Sequence, residues 1–197
     1  MKAILFDLDG VLVNACEWHY LSLNKALKTV VNYEISREDH INKFNGLPTK
    51  IKLNMLNITG EIFDKIWQLK QDYTIETIQE NKKIDLEKIE FLSYLKDKNI
   101  KIACVTNSIK KTANLMLEVT GQLAFIDLLI SNEDAIPKPN PDPYNKALEI
   151  LKTELSIGVE DSPTGLKALS ESNVNVIWKV KDSFEVNKNN FLNIFGW

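Results

Sequence analysis

Lys2-Ala3-Ile4-Leu5-Phe6-Asp7-Leu8-Asp9-Gly10 begins as an apolar run and breaks off at two carboxylates and a glycine. A short continuous apolar run suits a strand covered on both faces, the condition of a parallel sheet. Further runs of that kind lie at 100–105, 127–131, 156–160 and 175–178. Between them apolar residues recur at helical spacing. Leu86, Ile89, Leu92 and Leu95 share one face, as do Ile109, Ala113, Met116 and Leu117, and then Tyr144, Ala147, Leu148 and Leu151. Strands alternating with amphipathic helices predict an α/β fold built on a doubly wound, mostly parallel, Rossmann-like sheet.

The alternation breaks once. Between Gly10 and residue 100 lies about three times the chain that a crossover helix needs. Leu23, Leu27, Val30 and Val31 make one helical stripe there, and Ile62, Ile66, Leu69 and Tyr73 make another. Asn45-Gly46-Leu47-Pro48 and Thr59-Gly60 are turn signals that divide the stretch. An all-helical inserted domain at 15–83 is expected, with a core domain formed by 1–14 and 84–197.

The 197 residues carry a net charge of −3, with 44% hydrophobic residues. That apolar content excludes disorder, and the acidic balance excludes a nucleic-acid binder that works through bulk charge. No run is long and apolar enough for a membrane span, and the start does not read as a secretory leader. Cys16 and Cys104 form no metal-ligand spacing. A cytoplasmic protein with free thiols is the expectation, its oligomeric state open and a monomer acceptable. Arg37 is the one arginine among 24 basic residues, so a bound phosphate must be held by lysine, hydroxyls and backbone amides.

Ligands of open α/β sheets sit beyond the carboxyl ends of the strands. Those ends carry Asp7 and Asp9, then Thr106-Asn107-Ser108, then Lys138 in a proline-rich loop, then Glu160-Asp161. Singly, each has an ordinary explanation. A calcium loop counted from Asp7 would need a glutamate where Trp18 stands. Thr106 and Ser108 could cap a helix, Lys138 could be a surface lysine, and Glu160-Asp161 a solvated loop. Together they are a cluster of carboxylates that needs a cation, and oxygen ligands without histidine or cysteine suit Mg²⁺. A divalent ion beside a lysine and helix N-terminal amides makes a place for a phosphoryl group.

Phe6-Asp7-Leu8-Asp9-Gly10-Val11-Leu12, Val105-Thr106-Asn107-Ser108, Lys138-Pro139-Asn140-Pro141 and Val159-Glu160-Asp161-Ser162-Pro163-Thr164-Gly165 resemble, in order, the four motifs of the haloacid dehalogenase superfamily. A helical insert after the first motif is similar to the family's small-cap branch, which includes β-phosphoglucomutase-like and phosphoglycolate-phosphatase-like enzymes. The resemblance implies a Mg²⁺-dependent phosphatase that hydrolyses a small phosphorylated metabolite, a sugar phosphate or phosphoglycolate, through an aspartyl-phosphate. Asp7 would be the nucleophile and Asp9 the acid/base, protonated near neutral pH, with its main-chain carbonyl on the metal. Thr106 and the amide of Asn107 would hold phosphoryl oxygens, and Lys138 would bridge nucleophile and phosphate. Asp161 would ligate Mg²⁺, with Glu160 as second ligand or outer partner.

Some positions depart from the pattern. Asn14-Ala15 stands where many relatives have Asp-Ser or Asp-Thr. His19 matches a hinge histidine of the mutase, although packing beside Trp18 explains it equally. The mutase's phosphate-gripping arginine is missing after Gly46, where Lys50 is the candidate substitute; Lys70 reads as an exposed helix lysine, the alternative being a cap lysine that reaches the substrate. Hydrolysis is therefore the expectation and a sugar phosphomutase the alternative. A non-catalytic phospho-receiver or binding module is a remote third, since no aspartate ends the run at 127–131.

Overall fold

The structure is a computed structural model that describes residues 2–196. Five strands, β1 (Lys2–Phe6), β2 (Lys101–Val105), β3 (Leu128–Ile130), β4 (Leu155–Glu160) and β5 (Val176–Lys179), form one parallel sheet in the order β3-β2-β1-β4-β5. Each expected strand is present, with ends displaced by a residue or so. The third is the shortest, because Asp127 is spent on its neighbour: its Oδ2 accepts from the amide of Ile102 at 2.8 Å.

Alternation along the strands divides the core in two. Ile4, Phe6, Ile102, Cys104, Ile157 and Val159 face α5 (Leu86–Asp97), α6 (Lys110–Val119) and α9 (Lys188–Phe195). Ala3, Leu5, Ala103, Val105 and Ile130 face α7 (Asp142–Leu151) and α8 (Pro163–Ser170). Both faces of β1 are thus covered, as its unbroken apolar sequence requires. Aromatic rings tie the first face together: Phe91 packs edge-on against Phe6 and Trp178, with centroids 6.1 and 6.4 Å apart.

Between β1 and α5 the chain is helical: α1 (Cys16–Val31), the short α2 (Arg37–Asp39) running into a π-turn at His40–Phe44, α3 (Thr49–Met55) and α4 (Gly60–Glu80). Leu23, Ala26, Leu27, Ile35, Phe44, Leu53 and Ile66 make a small core of their own. Gly46, at φ +74°, turns the chain between the π-turn and α3, where the sequence signals a break. Ile78 instead joins the core of the sheet, so the last turns of α4 are anchored there.

Three helical stripes differ in part from expectation: on α1 Val31 is exposed, and the buried face runs through Ser22, Leu23, Ala26 and Leu27. Leu86 is 75% exposed because it follows the Asp85 N-cap, and α5 buries Lys88, Phe91, Leu92 and Leu95. Ile62 is also exposed, and the inner face of α4 runs through Ile66, Lys70, Gln71, Thr74 and Ile78. Two apolar residues are traded there for polar ones because that face looks onto a polar cavity. Among the described residues no helix is long and apolar enough to cross a membrane.

Candidate active site

Parallel pairing in phase sets the height of the strand ends. Phe6 lies opposite Cys104 on one side and Val159 on the other. The next residues, Asp7, Thr106 and Glu160-Asp161, therefore emerge on one rim. Lys138 comes to them from the loop after β3, beginning a cis peptide to Pro139. All of them except Glu160 line a cavity of about 420 Å³, whose opposite wall is the helical segment 16–80. Glu160 lies behind that surface.

The buried charges are joined in one network. Lys138 Nζ donates to Asp7 Oδ1 at 2.8 Å and to Glu160 Oε1 at 2.5 Å. Tyr144 Oη donates to the same Glu160 oxygen at 2.7 Å, and Ser162 Oγ donates to Glu160 Oε2 at 3.2 Å. Glu160 is wholly buried, so these donors are what make its charge tolerable. A Cβ at Gly165 would overlap the Glu160 carboxylate, and one at Gly10 would overlap Asp161 Oδ2. Both glycines are therefore needed to let the acids approach.

Asp7, Glu160 and Asp161 each bring a carboxylate oxygen within 4.8 Å of the others. Burial and the charge of Glu160 push the Asp7 carboxyl well above the usual range, against the pull of Lys138. The same two causes push Asp161 up to about 7. Asp161 Oδ1 is buried without a hydrogen-bond partner. An orphaned carboxylate oxygen among like charges, with only oxygen donors around it, fits a hard divalent cation. Glu160 has already committed both oxygens to Lys138, Tyr144 and Ser162. The oxygens still free for an ion are on Asp7 and Asp161.

Asp9 has different surroundings. His19 Nε2 lies 2.8 Å from its Oδ1, and Ser108 Oγ donates to Oδ2 at 2.8 Å, with Thr106 Oγ1 at 3.5 Å. Lys70 Nζ donates to His19 Nδ1 at 3.1 Å, which leaves the ring proton on Nε2, facing Asp9. Burial alone would raise the Asp9 carboxyl, but His19 and Ser108 outweigh it and hold it down at about 2. Asp9 is thus ionised in this arrangement, where the sequence reading had put a proton. The reason is the pair of donors, His19 and Ser108, that its position between strand and helix brings within reach.

Asn107 fixes the loops to each other. Its Oδ1 accepts from the amide of Lys138 at 2.9 Å, and its Nδ2 donates to the carbonyls of Lys138 at 3.0 Å and Gly46 at 2.8 Å. The last of these joins the sheet's rim to the helical segment. Sequence reasoning missed this side-chain role. It also missed Ser108, which holds Asp9 and does not cap α6; the amide of Lys110 is met by Glu133 Oε2 instead. Lys70 is only 6% exposed, a correction to its reading as an exposed lysine. Lys50 does line the cavity but is exposed, with its Nζ 5.6 Å over the Trp67 ring, while Lys52, not singled out in the sequence, is buried in the wall. Alternate buried and exposed lysines on one short helix give no periodicity to read.

The model of the haloacid dehalogenase-like hydrolases matches residues 4–179. The chain belongs to that family. Pyrophosphatase PpaX of Oceanobacillus iheyensis is 28% identical over 93% of this chain and 86% of its own length. Phosphoglycolate phosphatase of Aquifex aeolicus is 27% identical over 85% of this chain and 79% of its own. Among solved structures, β-phosphoglucomutase of Clostridium difficile superposes with a TM-score of 0.81 at 20% identity, covering 100% of this chain and 97% of its own. That likeness extends through the helical segment as well as the sheet. The chain is accordingly a haloacid dehalogenase-like hydrolase of phosphate esters, built on an α/β fold.

Proposed function

We propose that this hydrolase is a Mg²⁺-dependent phosphatase of small phosphorylated metabolites, of the sugar-phosphate, phosphoglycolate or pyrophosphate kind, working through an aspartyl-phosphate. The observation that carries the reading is the asymmetry of the two aspartates. Asp7 lies against Lys138 and the orphaned oxygen of Asp161, and Asp9, two residues on, is held apart by His19 and Ser108. The assignment rests on place and not on the charge of either carboxyl: Asp7 touches Lys138 and the carboxylate cluster, and Asp9 lies two residues on along the same cavity.

Asp7, Asp161 and the main-chain carbonyl of Asp9 would hold the ion, with Glu160 behind them fixing Lys138. When bound, Mg²⁺ would offset the burial and negative charge that raise the Asp7 carboxyl, and would neutralise the transferring phosphoryl group. Thr106 Oγ1, the amide of Asn107 and Lys138 Nζ hold phosphoryl oxygens. An oxygen of Asp7 forms the new bond to phosphorus as the ester oxygen leaves and takes a proton from Asp9. Asp9, now ionised as it is in this structure, then takes a proton from the water that attacks phosphorus and frees Asp7. The first step needs Asp9 protonated, so contact with His19 must loosen as substrate binds. We assign residues 15–83 to a cap on a core of 1–14 and 84–197, hinged near Asn14–Ala15 and 82–84, whose closure excludes solvent from the acid.

A cytoplasmic setting, in which Cys16 and Cys104 would remain free thiols, is part of this proposal. Against the mutase alternative stand the missing arginine after Gly46 and Asn14-Ala15 in place of Asp-Ser or Asp-Thr. Release of inorganic phosphate from phosphoglycolate, pyrophosphate and a sugar bisphosphate, measured with Mg²⁺ and with chelator, tests the reading. Isomer formation without phosphate release would favour the mutase. Asp9→Asn should take up one phosphoryl group and stall, with turnover down by about 10²–10⁴-fold; unimpaired steady turnover would remove Asp9 from its role.

A further inference from the structure

The chain enters the helical segment after Leu12 and leaves it before Asp85, and both crossings are bonded to one turn of the core. That turn is Thr120-Gly121-Gln122, directly after α6. Gln122 Nε2 donates to the carbonyl of Leu12 at 3.0 Å, across 110 positions of sequence. The amide of Asp85 donates to the carbonyl of Thr120 at 3.0 Å. Gln122 Nε2 also donates to Thr120 Oγ1 at 3.0 Å, which joins the two attachments. Gly121, at φ +78°, lets the turn lie against Ile84 and Ile89, where a Cβ would come within 2.8 Å of Ile89 Cδ1. Just past the two fixed points the linkers have room to bend, since Val13, Asn14, Lys83 and Ile84 border a cavity of about 530 Å³.

Packing does not account for a glutamine in this turn. Its side chain is wholly buried, and among the described residues its Oε1 has no hydrogen-bond partner. A half-satisfied amide is less favourable in a core than an apolar side chain of the same length. What the amide adds is a fixed Leu12 carbonyl. Val13 follows, and its bonds to Leu8 and Gly10 close the turn that carries Asp9. From there α1 starts at Cys16, and its first turn presents His19. The His19 amide donates to the carbonyl of Ala15 at 3.2 Å, while its Nε2 lies 2.8 Å from Asp9 Oδ1. The position of Leu12 therefore sets how far His19 reaches towards Asp9.

We propose that Gln122 is a positioning residue of the phosphatase: it holds the linkers of the cap to one point of the core, so that His19 meets Asp9 when the cap is closed. This rests on the phosphatase reading above and on the assignment of 15–83 to a cap. The substrate for the test is whichever of phosphoglycolate, pyrophosphate and p-nitrophenyl phosphate the native enzyme turns over fastest. Gln122→Met keeps the length of the side chain and removes the donor. Its circular dichroism should stay native, while kcat should fall about five- to tenfold. A double-mutant cycle with His19→Ala then separates positioning from a structural role. In the His19→Ala background Gln122→Met should lower kcat by less than about twofold further. An unchanged kcat in Gln122→Met, or a loss of the same size in both backgrounds, overturns the positioning role and leaves the phosphatase reading standing. Loss of the native circular dichroism in both Gln122→Met and Gln122→Leu does the same, because Gln122 is then a folding residue. A native enzyme that hydrolyses none of the three compounds overturns both.

Discussion

The two walls of the cavity solve the problem of buried charge in opposite ways. On the sheet side Lys138, Asp7, Glu160, Tyr144 and Ser162 form one network, and the buried oxygen left without a partner there is Oδ1 of Asp161. On the helical side, among the described residues, His40 Nδ1 is buried without a hydrogen-bond partner, and Lys52 lines the same cavity. The closed network suits a part that must hold reacting atoms in fixed positions whatever the substrate. The open one suits a part completed by the molecule it receives. On the function proposed above, the chemistry would sit on the sheet side of the cavity.

The largest effect should come from the sheet side. Asp7→Asn exchanges one oxygen for nitrogen, and should lower turnover by about 10⁴-fold or more while circular dichroism stays native. Hydrolysis persisting in that variant would break the division at its root. Next, Lys138→Met leaves Glu160 buried without its cation, and should cost about 3–5 kcal/mol in urea unfolding. A loss below about 1 kcal/mol would mean that the network does not carry the fold.

These two walls were unequally legible in the sequence. The strands could be read because each is a short apolar run buried on both faces, and the rim because Asp7, Thr106, Lys138 and Asp161 fall at strand ends. The helical wall was opaque for a physical reason. Lys52 and Lys70 are buried in the fold, yet in sequence they are lysines on amphipathic helices, indistinguishable from solvated ones. Ser108 was similarly hidden, since a serine before a helix is most simply a cap, and only the backbone path shows its hydroxyl aimed at Asp9.

The loose end on the sheet side can be sharpened by pH. Asp161 titrates near 7 in the folded chain, above its usual carboxylate range, and Asp7 is displaced in the same direction. Stability contributed by such groups is full at low pH and lost as pH rises through about 7. A bound divalent cation offsets that loss, so MgCl₂ should raise Tm by about 3 °C or more at pH 8 and hardly at pH 5.5. An equal rise at both would place the ion elsewhere. The smallest effect concerns the bond between the walls. Asn107→Ala removes the hydrogen bond to Gly46 together with two to the main chain of Lys138, and should raise KM about fivefold. Unchanged KM would mean that these bonds do not bear on substrate binding.

The in-phase position of β1 between β2 and β4 has a consequence for biosynthesis. Ala3 lies opposite Lys101 and Ser156, so the first strand made waits for most of the chain before both its edges are paired. Contacts so distant in sequence close slowly, and an unpaired apolar strand invites association with other nascent chains. The helices made directly after it have their own small core around Leu27 and Leu53, and can begin to fold earlier. On a translating ribosome the helical wall of the cavity would take shape before the sheet side that completes it.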